Sequence, residues 1–134
     1  AYPGLKIMQA LPVYSGVSYE EQWPTILDLI RKYESTTDFF LIDTKDPKST
    51  IGIGATGAVH DRNIDRAIVE ATKIPCIIAG GLDPDNVAEA IHTAHPYGVD
   101  TCTRTNLPKE QQDITNGLKD REKVKAFIEA TKNA

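Results

Sequence analysis

Three places in this sequence combine residue types that could do chemistry. Asp43 follows the continuous apolar run Phe39-Phe40-Leu41-Ile42. A carboxyl there is costly unless it is solvated, paired or in use. Apolar surroundings would raise its pKa toward the range of a general acid, whereas a loop-capping Asp bonded to nearby N–H groups fits the position equally well. Gly80-Gly81 follows a second apolar run, Cys76-Ile77-Ile78-Ala79. Without a Cβ, backbone at such a pair can approach a ligand closely and aim N–H groups at phosphate oxygens; the plain alternative is a tight turn that binds nothing. The third place is Asp100 to Arg104, after Gly98-Val99. His92 and His95 have a spacing that could hold a metal, but no third ligand accompanies them, so no metal is expected. His60 is expected to be exposed in a loop, and the charged run Lys119 to Lys125 to be a solvated helix face.

The elements that must position these residues alternate along the chain. Residues 6–11 read as a strand that Pro12 ends. Ser18, with Glu21 three residues on, forms a capping box for a helix whose buried stripe is Trp23, Ile26, Leu27 and Ile30. Pro24 falls in or near its first turn, where a missing N–H costs little. A strand over 39–43 leads to the glycine-rich stretch Gly52-Ile53-Gly54-Ala55-Thr56-Gly57. Asp61 or Asn63 is placed to cap a second helix with Ile64, Ala67, Ile68 and Ala71 on its apolar side. A strand over 76–79 precedes Asp83-Pro84, which reads as N-cap and first residue of a third helix with the stripe Val87, Ala90, Ile91, Ala94. A strand over 98–103 and a helix capped by Asp120, with the stripe Val124, Phe127, Ile128, Thr131, complete a βαβαβαβα order. Such alternation implies parallel strands, buried on both faces. In parallel α/β folds function gathers at the C-terminal strand ends, where Asp43, Gly80-Gly81 and Asp100 to Arg104 stand.

The bulk properties agree. The 134 residues suit one domain spanning 1–134; 40% are hydrophobic and 25% charged, as in ordinary globular proteins, and the net charge is −4. That balance gives no sign of a nucleic-acid or anionic-membrane partner. No apolar run approaches the ~20 residues of a membrane span, and no secretory signal is evident. Two cysteines, Cys76 and Cys102, fit reduced thiols in a cytoplasmic protein better than a disulfide framework.

Several stretches resemble one enzyme family in order. Ile77-Ile78-Ala79-Gly80-Gly81-Leu82-Asp83-Pro84-Asp85-Asn86-Val87 resembles the seventh-strand AGGL-x-P-x-NV motif of phosphoribosylanthranilate isomerase. Tyr97 to Asp100 resembles the start of its eighth strand, Leu118-Lys119-Asp120 with Lys123 the opening of its last helix, and Phe40 to Asp43 its sixth strand. Gly54-Ala55-Thr56-Gly57 resembles its G-G-T-G loop, and Lys6 to Ala10 its fifth strand more loosely. The resemblance implies an α/β fold, a parallel (βα)4 half of a (β/α)8 barrel comprising strands five to eight. It implies a cofactor-free Amadori isomerisation of an aminoribose phosphate in tryptophan biosynthesis, an intramolecular aldose–ketose conversion. Asp43 maps to the family's acid. Thr56, Gly57, Gly80, Gly81, Asp100, Thr103 and Arg104 map to the grip on a phosphorylated sugar. The family's base is a cysteine on the first strand, to which neither Cys76 nor Cys102 corresponds. The chain departs from the family at Ala58, where lysine is usual, and at Thr101-Cys102-Thr103-Arg104, where the family reads roughly V-S-S-G. Arg104 could bind the phosphate with its planar fork or block the site. The expectation is a chain inactive alone, completed by an N-terminal half-barrel or by self-association; the alternative is a non-catalytic sugar-phosphate- or anion-binding relative.

Overall fold

The computed structural model describes residues 2–47, 60–111 and 117–134. Four parallel strands, β1 (Met8–Tyr14), β2 (Phe39–Lys45), β3 (Cys76–Ile78) and β4 (Gly98–Val99), form one sheet in chain order. Helices α1 (Tyr19–Tyr33), α2 (Arg62–Ala71), α3 (Val87–Ala94) and α4 (Arg121–Lys132) follow them in turn. No antiparallel pairing occurs among these strands, in accord with the half-barrel reading.

Alternation along the strands sorts the two sheet faces. Leu11 and Val13 of β1, Phe40, Ile42 and Thr44 of β2, and Cys76 and Ile78 of β3 are buried. They form one core with Ile26 and Ile30 of α1, Ile64 and Ile68 of α2, Val87, Ala90 and Ala94 of α3, and Phe127 of α4. The intervening residues lie on the opposite face and are less covered: Ala10, Pro12, Phe39, Leu41, Asp43 and Ile77 are half-buried, and Met8 is exposed. Both faces were expected to be buried; only the helix side is. The second face is the one a closed barrel would turn inward.

Pro12 does not end β1. Phe39 N–H donates to the Ile7 carbonyl and Ser15 N–H to the Lys45 carbonyl, both at 3.1 Å, so odd-numbered residues of β1 bond β2. The Pro12 nitrogen therefore faces the open edge, where its missing N–H breaks no ladder bond. Pro24 is the sixth residue of α1, near its first turn, with its ring exposed. The Ser18 hydroxyl accepts from Glu21 N–H as a cap should. Buried Gln22 then stitches helix to strand, accepting from Tyr14 N–H and donating to the Tyr14 and Val17 carbonyls.

Two later boundaries and one buried stripe differ from the expectation. β4 is two residues long, because Thr101 turns to donate its hydroxyl to the Leu82 carbonyl and residues 103–105 wind into a 3₁₀ turn. Regular α3 starts at Val87; Asp83 caps the turn before it, its carboxylate accepting from Asp85 and Asn86 N–H. Ile128 of α4 is exposed, so the buried side of that helix narrows to Phe127 with Ala130 packed beside it. Asp120 caps α4 as expected, accepting from Glu122 and Lys123 N–H. Among the described residues, no helix is long and apolar enough to cross a membrane.

Candidate active site

Asp43 sits on the less-covered face of β2, near its C-terminal end, and its carboxylate accepts from Thr44 N–H at 2.8 Å. Burial raises its pKa above the ordinary value; the Thr44 N–H lowers it, the negative charge of Asp100 raises it again, and His60 opposes. The folded state thus holds the proton to higher pH than the unfolded chain does. Stability is lost as pH climbs from the unfolded value through the folded one. Asp43→Asn is accordingly expected to melt above the parent chain at about pH 7 and together with it at about pH 3, below the usual carboxyl range. A lower melting midpoint at neutral pH would contradict that environment.

Gly80 and Gly81 follow β3 with φ of 84° and 65°, the left-handed region suited to glycine. Gly80 is also hemmed in: a Cβ there would stand 2.0 Å from Thr44 Oγ1 and 2.8 Å from Thr44 N. The turn is braced from several sides. Asn86 donates its side-chain amide to the Gly81 carbonyl (3.0 Å) and accepts from Asp83 N–H (2.9 Å). Arg62 donates to the Ala79 carbonyl (3.3 Å) and the Gly80 carbonyl (2.6 Å).

The β4 loop is joined to the β3 loop by the Thr101–Leu82 bond and by an ion pair from Arg104 to Asp83 at 2.6 Å. Two lysines of the run read as solvated fasten that loop. Lys119 donates to the Cys102 carbonyl and Asn106 Oδ1, and Lys123 to the Asn106 carbonyl. Thr103, Arg104 and Asp100 are exposed. Asp43, Asp100, the Gly80-Gly81 turn and Thr103-Arg104 therefore all belong to the C-terminal end of the sheet. Thr56 and Gly57 lie outside the described residues. Lys45, on the same face as Asp43 and two residues beyond it, places a cation there that sequence reading did not single out; its Nζ lies 5.7 Å from the Tyr14 ring centroid.

His60 is buried, not exposed. Its Nδ1 meets Thr44 Oγ1 at 2.7 Å and its Nε2 meets Asp65 Oδ1 at 2.6 Å; Asp65 also pairs with Arg62 at 3.1 Å. The sequence did carry a signal: Asp65 falls between Ile64 and Ile68 on the buried side of α2, where a carboxylate needs partners. Thr44, His60 and Asp65 have the connectivity of a nucleophile, base and orienting acid. With no side-chain exposure at His60 or Asp65 and none at Thr44, no substrate reaches them, and the chain of bonds serves to hold structure.

The two cysteines are placed differently. Cys76 faces the helices with its thiol pushed up to about 11, chiefly by burial and secondarily by the charge of Asp65. Cys102 is exposed on the β4 loop. A thiol-alkylating reagent at about pH 8 is expected to modify Cys102 alone in the folded chain, since reactivity follows thiolate character and access; equal labelling of Cys76 would contradict its placement. His92 bonds the Ala88 carbonyl through Nδ1, and His95 ends α3 at φ 50°. No group of metal-binding side chains occurs among the described residues.

A parallel sheet with helices on one face, and a carboxyl, glycine turn and loop cation at its C-terminal end, defines the class: half of a (β/α)8-type barrel. A profile described as N-(5'-phosphoribosyl)anthranilate (PRA) isomerase matches residues 5–130, and the chain belongs to that family. It is 36% identical over 132 residues to N-(5'-phosphoribosyl)anthranilate isomerase 2 of Methanosarcina mazei, covering 98% of this chain and 51% of the relative. It is 40% identical over 110 residues to the Haloferax volcanii isomerase, covering 82% of this chain and 45% of the relative. The solved isomerase of Pyrococcus furiosus superposes with a TM-score of 0.66 at 27% identity, covering 98% of this chain and 53% of that one. The chain spans about half the length of the relatives it matches.

Proposed function

We propose that this chain is a single-domain unit comprising strands five to eight of a phosphoribosylanthranilate isomerase barrel, the part that carries the general acid and the phosphate grip. The observation that supports it best is the half-buried Asp43 carboxyl, held above its ordinary pKa, at the same sheet end as the Gly80-Gly81 turn. In the family reaction an acid protonates the ring oxygen of the aminoaldose and the ring opens. A base then removes the C2 proton, and the enolamine becomes the ketose. A carboxyl with a raised pKa keeps a proton to give, which is the role of Asp43. Backbone N–H groups of Gly80 and Gly81, with Thr56, Gly57, Asp100, Thr103 and Arg104, hold the phosphorylated sugar. No cofactor takes part. The base comes from the complementary half-barrel, so the chain is inactive alone and pairs with that half or with itself in the cytoplasm.

Titration of the chain with ribose 5-phosphate, followed by amide shifts, tests the grip. Saturable shifts at Gly80, Gly81, Thr103 and Arg104 are expected; shifts confined to other regions would leave the turn a structural one. A second reading, a sugar-phosphate-binding relative without catalysis, draws support from Arg104, which stands where the family has glycine and is paired with Asp83. It differs from the first in one result: ligand binding that persists while the completed barrel gives no turnover.

A further inference from the structure

Arg62 lies at the start of α2, yet two of its bonds reach across to the end of β3. Its Nη1 donates to the Ala79 carbonyl and its Nη2 to the Gly80 carbonyl. A trans peptide sets the C=O of one residue antiparallel to the N–H of the next. Holding the Ala79 and Gly80 carbonyls toward Arg62 therefore turns the Gly80 and Gly81 N–H groups away from α2. Glycines at φ of 84° and 65° have wide backbone freedom, so the direction of those N–H groups needs an external constraint, and the guanidinium fork supplies one. The fork is itself fixed. Asp65 accepts from Arg62 through Oδ2 and from His60 through Oδ1, and His60 reaches Thr44 on β2. The imidazole thus spans the two elements, with Nε2 at 2.6 Å from Asp65 Oδ1 and Nδ1 at 2.7 Å from Thr44 Oγ1. Every member of this buried network has a partner, as an ordering role requires.

We propose that Arg62 is a positioning residue for an anion site: it aims the Gly80 and Gly81 N–H groups at a phosphate monoester without touching it. The ligand class rests on the function proposed above; the orientation of the two peptides does not. The test compares amide spectra of the whole chain with those of Arg62→Gln and Arg62→Lys, free and titrated with inorganic phosphate. Without phosphate, both variants are expected to shift the Gly80 and Gly81 amides and leave β1 and α1 unmoved. With phosphate, both are expected to weaken the apparent affinity at least about ten-fold, since lysine keeps the charge but loses the fork. Unchanged Gly80 and Gly81 amides in both variants, or full recovery of affinity by lysine, would overturn the proposal. A parent chain whose Gly80 and Gly81 amides ignore phosphate removes the ligand class, and the ligand-free shifts then decide the positioning role by themselves. The parent also offers a readout free of substitution. A fork bound to two carbonyls should show resolved, slowly rotating Nη protons for Arg62, and a single averaged signal would count against it.

Discussion

Gly80→Ala is expected to destabilise the chain by about 2–5 kcal/mol, the sum of a left-handed backbone penalty of roughly 1–2 kcal/mol and an overpacking cost of roughly 1–3 kcal/mol. The added methyl would stand 2.0 Å from Thr44 Oγ1 and 2.8 Å from Thr44 N. A hydroxyl can rotate away; a strand nitrogen cannot. Thr44→Ala in the same molecule should therefore recover only part of the loss. Gly81→Ala, at φ 65°, carries the same backbone penalty of about 1–2 kcal/mol. Urea midpoints of the three variants check this ordering. A domain with a total stability of about 5–15 kcal/mol would feel the first substitution strongly, and equal midpoints for Gly80→Ala and the parent would show that the turn has room the geometry denies it.

The second large effect concerns Asp43. In a barrel completed by the other half, Asp43→Asn is expected to lower kcat on the order of 10²–10⁴, the usual worth of a general acid. KM should change little, because the amide keeps the shape and the phosphate grip proposed above uses other groups. The same substitution raises the melting midpoint at neutral pH, since it removes a carboxylate that burial disfavours. Lost turnover together with gained stability is the signature of a group retained for chemistry. Near-normal turnover by Asp43→Asn would remove it from the mechanism.

What could be read in advance follows from the range of the forces involved. β2 and α1 were legible because their signals are local: an unbroken apolar run, and a Ser18 cap followed by apolar residues at helical spacing. Pro12 misled because its effect depends on which way its nitrogen faces, and only pairing with β2 decides that. β4 was read too long because the pull that ends it comes from Leu82, nineteen residues earlier. His60 was misread as exposed, and Arg62 escaped notice, for the same reason: Thr44 lies sixteen residues from His60, and Gly80 eighteen from Arg62. The strand-end positions of Asp43 and Gly80-Gly81 were legible because chain order alone fixes which end of a parallel strand faces the mouth. The partnership of Arg104 with Asp83 was not, since it depends on how two loops settle against each other.

The most direct test is an isomerase assay with phosphoribosylanthranilate, run on this chain alone and on the chain co-expressed with an N-terminal half-barrel from a family member that ends its first strand in cysteine. The account predicts no turnover above background from the chain alone, and turnover from the pair that Asp43→Asn abolishes. Turnover by the purified 134-residue chain without a partner would contradict the assignment of acid and base to separate halves.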